Sequence, residues 1–124
     1  MKFKLIAFSA LLALLSISSC RDEDIGPLLI CGVYDPVLEL TWLAQKTAQI
    51  NQAGNGSDIY LSAGVYQGQS VIIEKNCCIS CGSVFVVYAC DGQVLGFLGT
   101  GGIDPASIED ETIIWRGANF TCGV

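Results

Sequence analysis

A chain of 124 residues with six Lys and Arg against twelve Asp and Glu has a formal charge of −6. That balance argues against DNA, RNA and anionic lipid headgroups as partners, since all of these select for basic patches. The chain contains no histidine, which excludes a Ser-His-Asp triad, a Cys-His dyad and any metal site that requires imidazole.

Met1-Lys2-Phe3-Lys4 supplies two positive charges, and Leu5 to Leu15 is apolar except for Ser9. Ser16 to Ser19 are mostly small and polar. A basic start, a short apolar run and a small-residue cleavage site make a secretory signal. About eleven apolar residues are too few to cross a hydrocarbon core that needs ~20. Ile17-Ser18-Ser19-Cys20 resembles the lipobox of bacterial lipoproteins, which implies that Cys20 becomes the acylated N-terminus of the mature chain. More than one acyl chain is needed for lasting attachment. The expected division is a signal peptide over 1–19, a tether over 20–30 and a domain over 31–124. The acidic run Arg21-Asp22-Glu23-Asp24 looks like the export signal of surface lipoproteins of Bacteroidota; as plain chemistry it is a solvated tether.

Cleavage removes Lys2 and Lys4, leaving four basic residues against twelve acidic ones and a charge of about −8. It also sorts the seven cysteines. With Cys20 taken by lipid, six remain: Cys31, Cys77, Cys78, Cys81, Cys90 and Cys122. An even set in an exported chain reads as a disulfide framework, and its connectivity stays open among fifteen pairings.

Asp35-Pro36 marks a helix start, with Asp as N-cap and Pro in the first helical position. The helix is expected to run to about Gln52, before Ala53-Gly54-Asn55-Gly56. Leu40, Leu43, Thr47 and Ile50 form one apolar face. Leu38 and Trp42 form a second stripe, read either as a contact with Leu28 to Ile30 or as a candidate partner face. From Ile59 to Tyr66 the period changes to two, the mark of a half-buried strand. Gln67-Gly68 turns it into Ser70 to Asn76. Val84 to Ala89 is apolar throughout, as in a central strand covered on both faces. Asp91-Gly92 signals a hairpin into Val94 to Leu98, with both turn residues tolerating positive φ. Asp104-Pro105 caps a helical turn through Ile108, and Thr112 to Arg116 makes the last strand. The expected fold is α+β: one N-terminal amphipathic helix on a four- to five-stranded, mainly antiparallel sheet, stapled by disulfides.

Two groups of residues invite a chemical reading. Asp104, Glu109, Asp110 and Glu111 are dense in carboxylates, but neighbours around one turn read as a solvated loop rather than as two carboxyls facing across a cleft. In Cys77-Cys78-Ile79-Ser80-Cys81, the C-x-x-C pair Cys78 and Cys81 is compatible with structural bridges, with thiol-redox chemistry, or with a Cys₄ metal site including Cys90. Gly82 and a β-rich run follow the pair where a redox thiol would gain from a helix N-terminus. In extended chain Cys77 and Cys78 point to opposite faces, which predicts bridges to two different parts of the chain.

Cys31-Gly32-Val33-Tyr34-Asp35-Pro36, Leu40-x-Trp42-Leu43, Cys77-Cys78, Val87-Tyr88-Ala89-Cys90-Asp91-Gly92 and Gly101-Gly102 occur in that order. Together they resemble the small lipoproteins of unknown function of Bacteroidota (DUF6970-like). The lipobox and the acidic run imply a lipid-anchored envelope protein of the outer membrane, with periplasmic and surface orientations both open, and the family resemblance carries no catalytic residues with it. The expected function is a non-enzymatic binding or envelope-structural module, with a protein or glycan partner in the envelope, no nucleic acid, no cofactor and no metal. The alternative is a thiol-redox or metal-binding module using Cys77 to Cys81.

Overall fold

Asp35 and Pro36 begin a helix, but Leu40 interrupts it. A computed structural model describes residues 29–78 and 80–124 of the protein. The signal segment, Cys20 and the tether as far as residue 28 lie outside the described residues. Ile30 and Val33 bridge across a tight turn in which Cys31 and Gly32 both take positive φ. Helix α1 spans Pro36–Glu39, with Asp35 Oδ1 accepting from Leu38 N (3.2 Å) and Glu39 Oε2 accepting from Asp35 N (2.7 Å). These reciprocal bonds satisfy donors that a helix start leaves free.

Leu40 then takes an extended conformation (φ −91°, ψ 110°), and helix α2 restarts at Thr41 and runs to Gln52. The expected single helix is therefore two. The break has a packing reason: Val37, Leu40 and Trp42 all reach the cluster around Leu43. A continuous helix, turning 100° per residue, would spread those three side chains around its circumference. Leu43, Thr47 and Ile50 are buried on the face of α2 at i, i+4 and i+7. Gly54, at φ 75°, ends the helix, and Asn55 N donates to Ile50 O (3.2 Å).

Five strands follow: β1 Ile59–Tyr66, β2 Gln69–Asn76, β3 Phe85–Tyr88, β4 Val94–Leu98 and β5 Glu109–Arg116. They form one antiparallel sheet in the order β4-β3-β2-β1-β5. The first four strands make a meander; the chain then crosses back to lay β5 along the free edge of β1. The protein is thus α+β, with one five-stranded antiparallel sheet, helices and three disulfides.

Strand alternation gives the sheet two covered faces. Leu61, Ala63 and Ile72 meet Leu43 of α2 on one side. Val71, Ile73 and Val87 form the other cluster, closed by Phe85, Leu98, Ile103 and Ile108. The crossover from β4 to β5 supplies Ile103 and Ile108, so it acts as a lid on the face away from the helix. Its Pro105–Ser107 turn is 3₁₀, capped by Asp104 Oδ1 accepting from Ala106 N (2.9 Å).

Three strand expectations are corrected. β2, not the Val84 to Ala89 segment, is the central strand, and Val71-Ile72-Ile73 are all buried there. β3 lies second from the edge, and Val84, outside it, is 58% exposed. β5 begins at Glu109 rather than Thr112, because register shifts let the acidic residues continue the pairing with β1.

The Asp91-Gly92 turn also differs: only Gly92, at φ 89°, takes positive φ. Gly92 N donates to Ala89 O (3.0 Å) and Asp91 Oδ1 accepts from Gln93 N (3.0 Å). This is a turn closed by a glycine bulge rather than a two-residue hairpin.

Candidate functional site

The cysteines resolve into three pairs. Cys31–Cys90 joins the incoming chain to the end of β3 across 59 residues, with Cα atoms 5.5 Å apart. Cys77–Cys122 joins the end of β2 to the C-terminal tail across 45 residues, at 6.0 Å. Cys78–Cys81 closes a turn within the β2–β3 connection, at 5.4 Å. Cys77 and Cys78 go to different partners, but Cys78 turns back to its own loop instead of reaching a distant segment. No Cys₄ arrangement forms with Cys90, because Cys90 is committed to Cys31. Among the described residues, no three Cys, His, Asp or Glu side chains gather as metal ligands.

Two ends of the sheet can be distinguished from these pairings. Leu29, Cys31, the two hairpin turns and the start of β5 share one end, where Leu29 and Ile30 line a cavity of ≈ 40 Å³ with Ala63, Gly64, Val65, Ser70, Asp110 and Thr112. That volume suits a water or two, far below the several hundred Å³ of a small-molecule site. The Cys77 to Val84 connection and the tail stapled by Cys122 lie at the opposite end, eight strand residues or roughly 26 Å away.

Leu38 and Trp42 do not form one exposed face. Leu38 is 76% exposed, whereas Trp42 is half-buried. Trp42 Nε1 donates to Cys90 O (2.8 Å), and its ring lies 5.5 Å from that of Tyr88 at a 41° tilt. Leu28 of the expected contact lies outside the described residues; Gly92 lies against the tryptophan instead, where a built Cβ would stand 2.9 Å from its ring. The tryptophan thus clamps the β3–β4 turn to the helix. Strand alternation puts Tyr88 on the helix side, but nothing local in the sequence pairs Trp42 with Tyr88 and Gly92, 46 and 50 residues on.

The carboxylates separate. Asp104 caps its turn, while Glu111 accepts from Ser62 Oγ (2.6 Å) and pairs with Lys75. Glu109 and Asp110 lie exposed in β5. On the helix side of the sheet, Lys46 of α2 pairs with Glu74 of β2 (2.6 Å) and sits 4.8 Å from the centre of the Tyr88 ring.

Burial raises the Glu111 carboxyl, but Lys75 and Ser62 outweigh it and hold the group below the usual carboxylate range. Burial lowers Lys46, but Glu74 and Tyr88 outweigh it and hold the ammonium above its ordinary value. The stability from Glu111 is therefore present above the unfolded carboxylate pKa of ~4.3 and is lost as pH falls through the lower folded value. That from Lys46 is present below the unfolded value of ~10.4 and is lost as pH rises through the higher folded one. Glu111→Gln should cost about 0.5–1.5 kcal/mol at pH 7, after allowing for solvent screening. It should also flatten the acid limb of a urea-midpoint profile. An unchanged acid limb would remove Glu111 from this role.

The open edge of the sheet at β4 exposes Val94, Leu95 and Phe97 about half each, whereas β5 guards the other edge with Glu109 and Asp110. Among the described residues, no helix is long and apolar enough to cross a membrane. In comparisons with known proteins the chain matches no family model, no curated protein and no solved structure.

Proposed function

We propose that the protein is a membrane-anchored extracytoplasmic lipoprotein whose domain binds or supports a component of the cell envelope without catalysing a reaction. One observation carries this reading: all six cysteines of the domain pair with one another. Such a framework belongs to an oxidising compartment, and it leaves Cys20 for acylation. The lipobox-like Ile17-Ser18-Ser19-Cys20 and the resemblance to small Bacteroidota lipoproteins add to it.

With the chain anchored at Cys20, nine residue steps to Leu29 span at most about 30 Å. The Leu29 end of the sheet then stays near the bilayer, and the Cys77 to Val84 end points towards a protein or glycan partner in the outer membrane or at the cell surface. The alternative is a thiol-redox or metal-binding module at Cys77 to Cys81, and the exposure of Cys81 speaks for its redox form. Against a thiol catalyst there, Gly82, Ser83 and Val84 lead into a strand, so among the described residues no helix N-terminus follows Cys81 to lower a thiol's pKa.

The test is the mass of the mature N-terminus in producing cells, compared with Cys20→Ser. Acyl chains on Cys20, and membrane partitioning lost in the variant, are expected. An unmodified mature N-terminus in a protein that fractionates with soluble material would end the reading.

A further inference from the structure

The three bridges are not held equally by the fold. Cys77 N donates to Asp58 O (2.9 Å), and Cys122 Sγ packs 3.5 Å from the same carbonyl and 3.9 Å from that of Ser57. A bridged sulfur carries no proton, so these sulfur contacts are packing rather than hydrogen bonds. Cys31 packs against the helix-side core, and Trp42 is bonded to Cys90 O.

Among the described residues, Cys78–Cys81 has only local ties: Cys78 N donates to Asn76 Oδ1 (2.7 Å) and Cys81 N to Cys78 O (3.3 Å). Cys81 is also the only exposed residue of the six. The residues it joins are three apart in sequence, against 59 and 45 for the other bridges. A bridge that closes a short loop removes little chain entropy from the unfolded state, so its loss gives up the least folding stability. Its exposed sulfur also makes it the bridge most open to thiolate attack.

We propose that Cys78–Cys81 is a thiol-exchange site, opened by an external dithiol while the other two bridges and the sheet remain intact. The incoming thiolate attacks Sγ of Cys81, the exposed sulfur. A mixed disulfide forms there, the Cys78–Cys81 bond breaks, and Cys78 leaves as a thiolate. Ser80 Oγ, 3.8 Å from Cys78 Sγ, is placed to donate a hydrogen bond to it. The second thiol of the reagent then attacks its own sulfur in the mixed disulfide and releases Cys81. Two electrons and two protons pass to the protein, and the dithiol departs as a cyclic disulfide. The domain is the electron acceptor in this exchange, and the loop sits at the end of the sheet opposite Leu29.

The experiment uses the full mature protein, titrated with dithiothreitol at neutral pH without denaturant, acid-quenched, alkylated and mapped by peptide mass. Cys78 and Cys81 should label at a dithiol concentration about tenfold or more below that for Cys31, Cys77, Cys90 and Cys122, with the circular dichroism spectrum unchanged. Equal thresholds, or earlier labelling of another pair, would overturn the proposal. The double variant Cys78→Ser/Cys81→Ser should keep the spectrum and show no labelling below the higher threshold. Early labelling in that variant would place the labile bridge elsewhere and likewise overturn it.

Discussion

Replacing Cys31 and Cys90 together by serine should lower unfolding stability by about 4 kcal/mol, close to what freeing a 60-residue loop in the unfolded chain predicts. In a domain of this size that corresponds to a fall of roughly 15–30 °C in Tm. The same relation gives only about 2 kcal/mol for the Cys78 and Cys81 pair, because the entropy term grows with the logarithm of loop length. The two double variants should therefore separate clearly in urea or thermal unfolding. The Cys31–Cys90 bridge also has an enthalpic surrounding to lose, since Cys31 packs into the core and Trp42 is bonded to the Cys90 carbonyl. If the two double variants proved equally stable, loop length would not be what ranks these bridges.

Trp42→Ala should cost about 3–5 kcal/mol. It removes the ring that packs on Tyr88, the donor to Cys90 O and the cover over Gly92. Trp42→Phe separates these contributions: the ring packing mostly stays, and losing the Nε1 bond should cost about 1 kcal/mol. The expected readout is a urea midpoint that falls steeply for alanine and slightly for phenylalanine. Near-neutral values for both would return Trp42 to the role of an exposed partner face. Leu38, at 76% exposed, is the control, and Leu38→Ala should change stability little.

Much of the backbone was legible along the chain because its signals are local. The alternation from Ile59 to Tyr66 and the β-branched Val71-Ile72-Ile73 run declare strands without reference to anything distant. Asp35-Pro36 and Gly54 mark helix limits through capping chemistry that involves only their neighbours. The even number of cysteines left after Cys20 pointed to disulfides, and charge and the absence of histidine removed whole classes of chemistry.

Only the tertiary structure decided matters that depend on contacts between remote segments. Leu40 breaks the helix because Val37, Leu40 and Trp42 must all meet the cluster around Leu43, a demand that helical periodicity does not contain. β5 pairs with β1 rather than β4, which makes β2 the central strand and leaves β3 near an apolar edge. Which cysteines join depends on where the strands end: Cys90 comes to Cys31, and Cys77 to Cys122, because register brings them together. Trp42 became a clamp for the same reason. Its ring is defined by a turn fifty residues away, whose glycine leaves the space that the tryptophan fills.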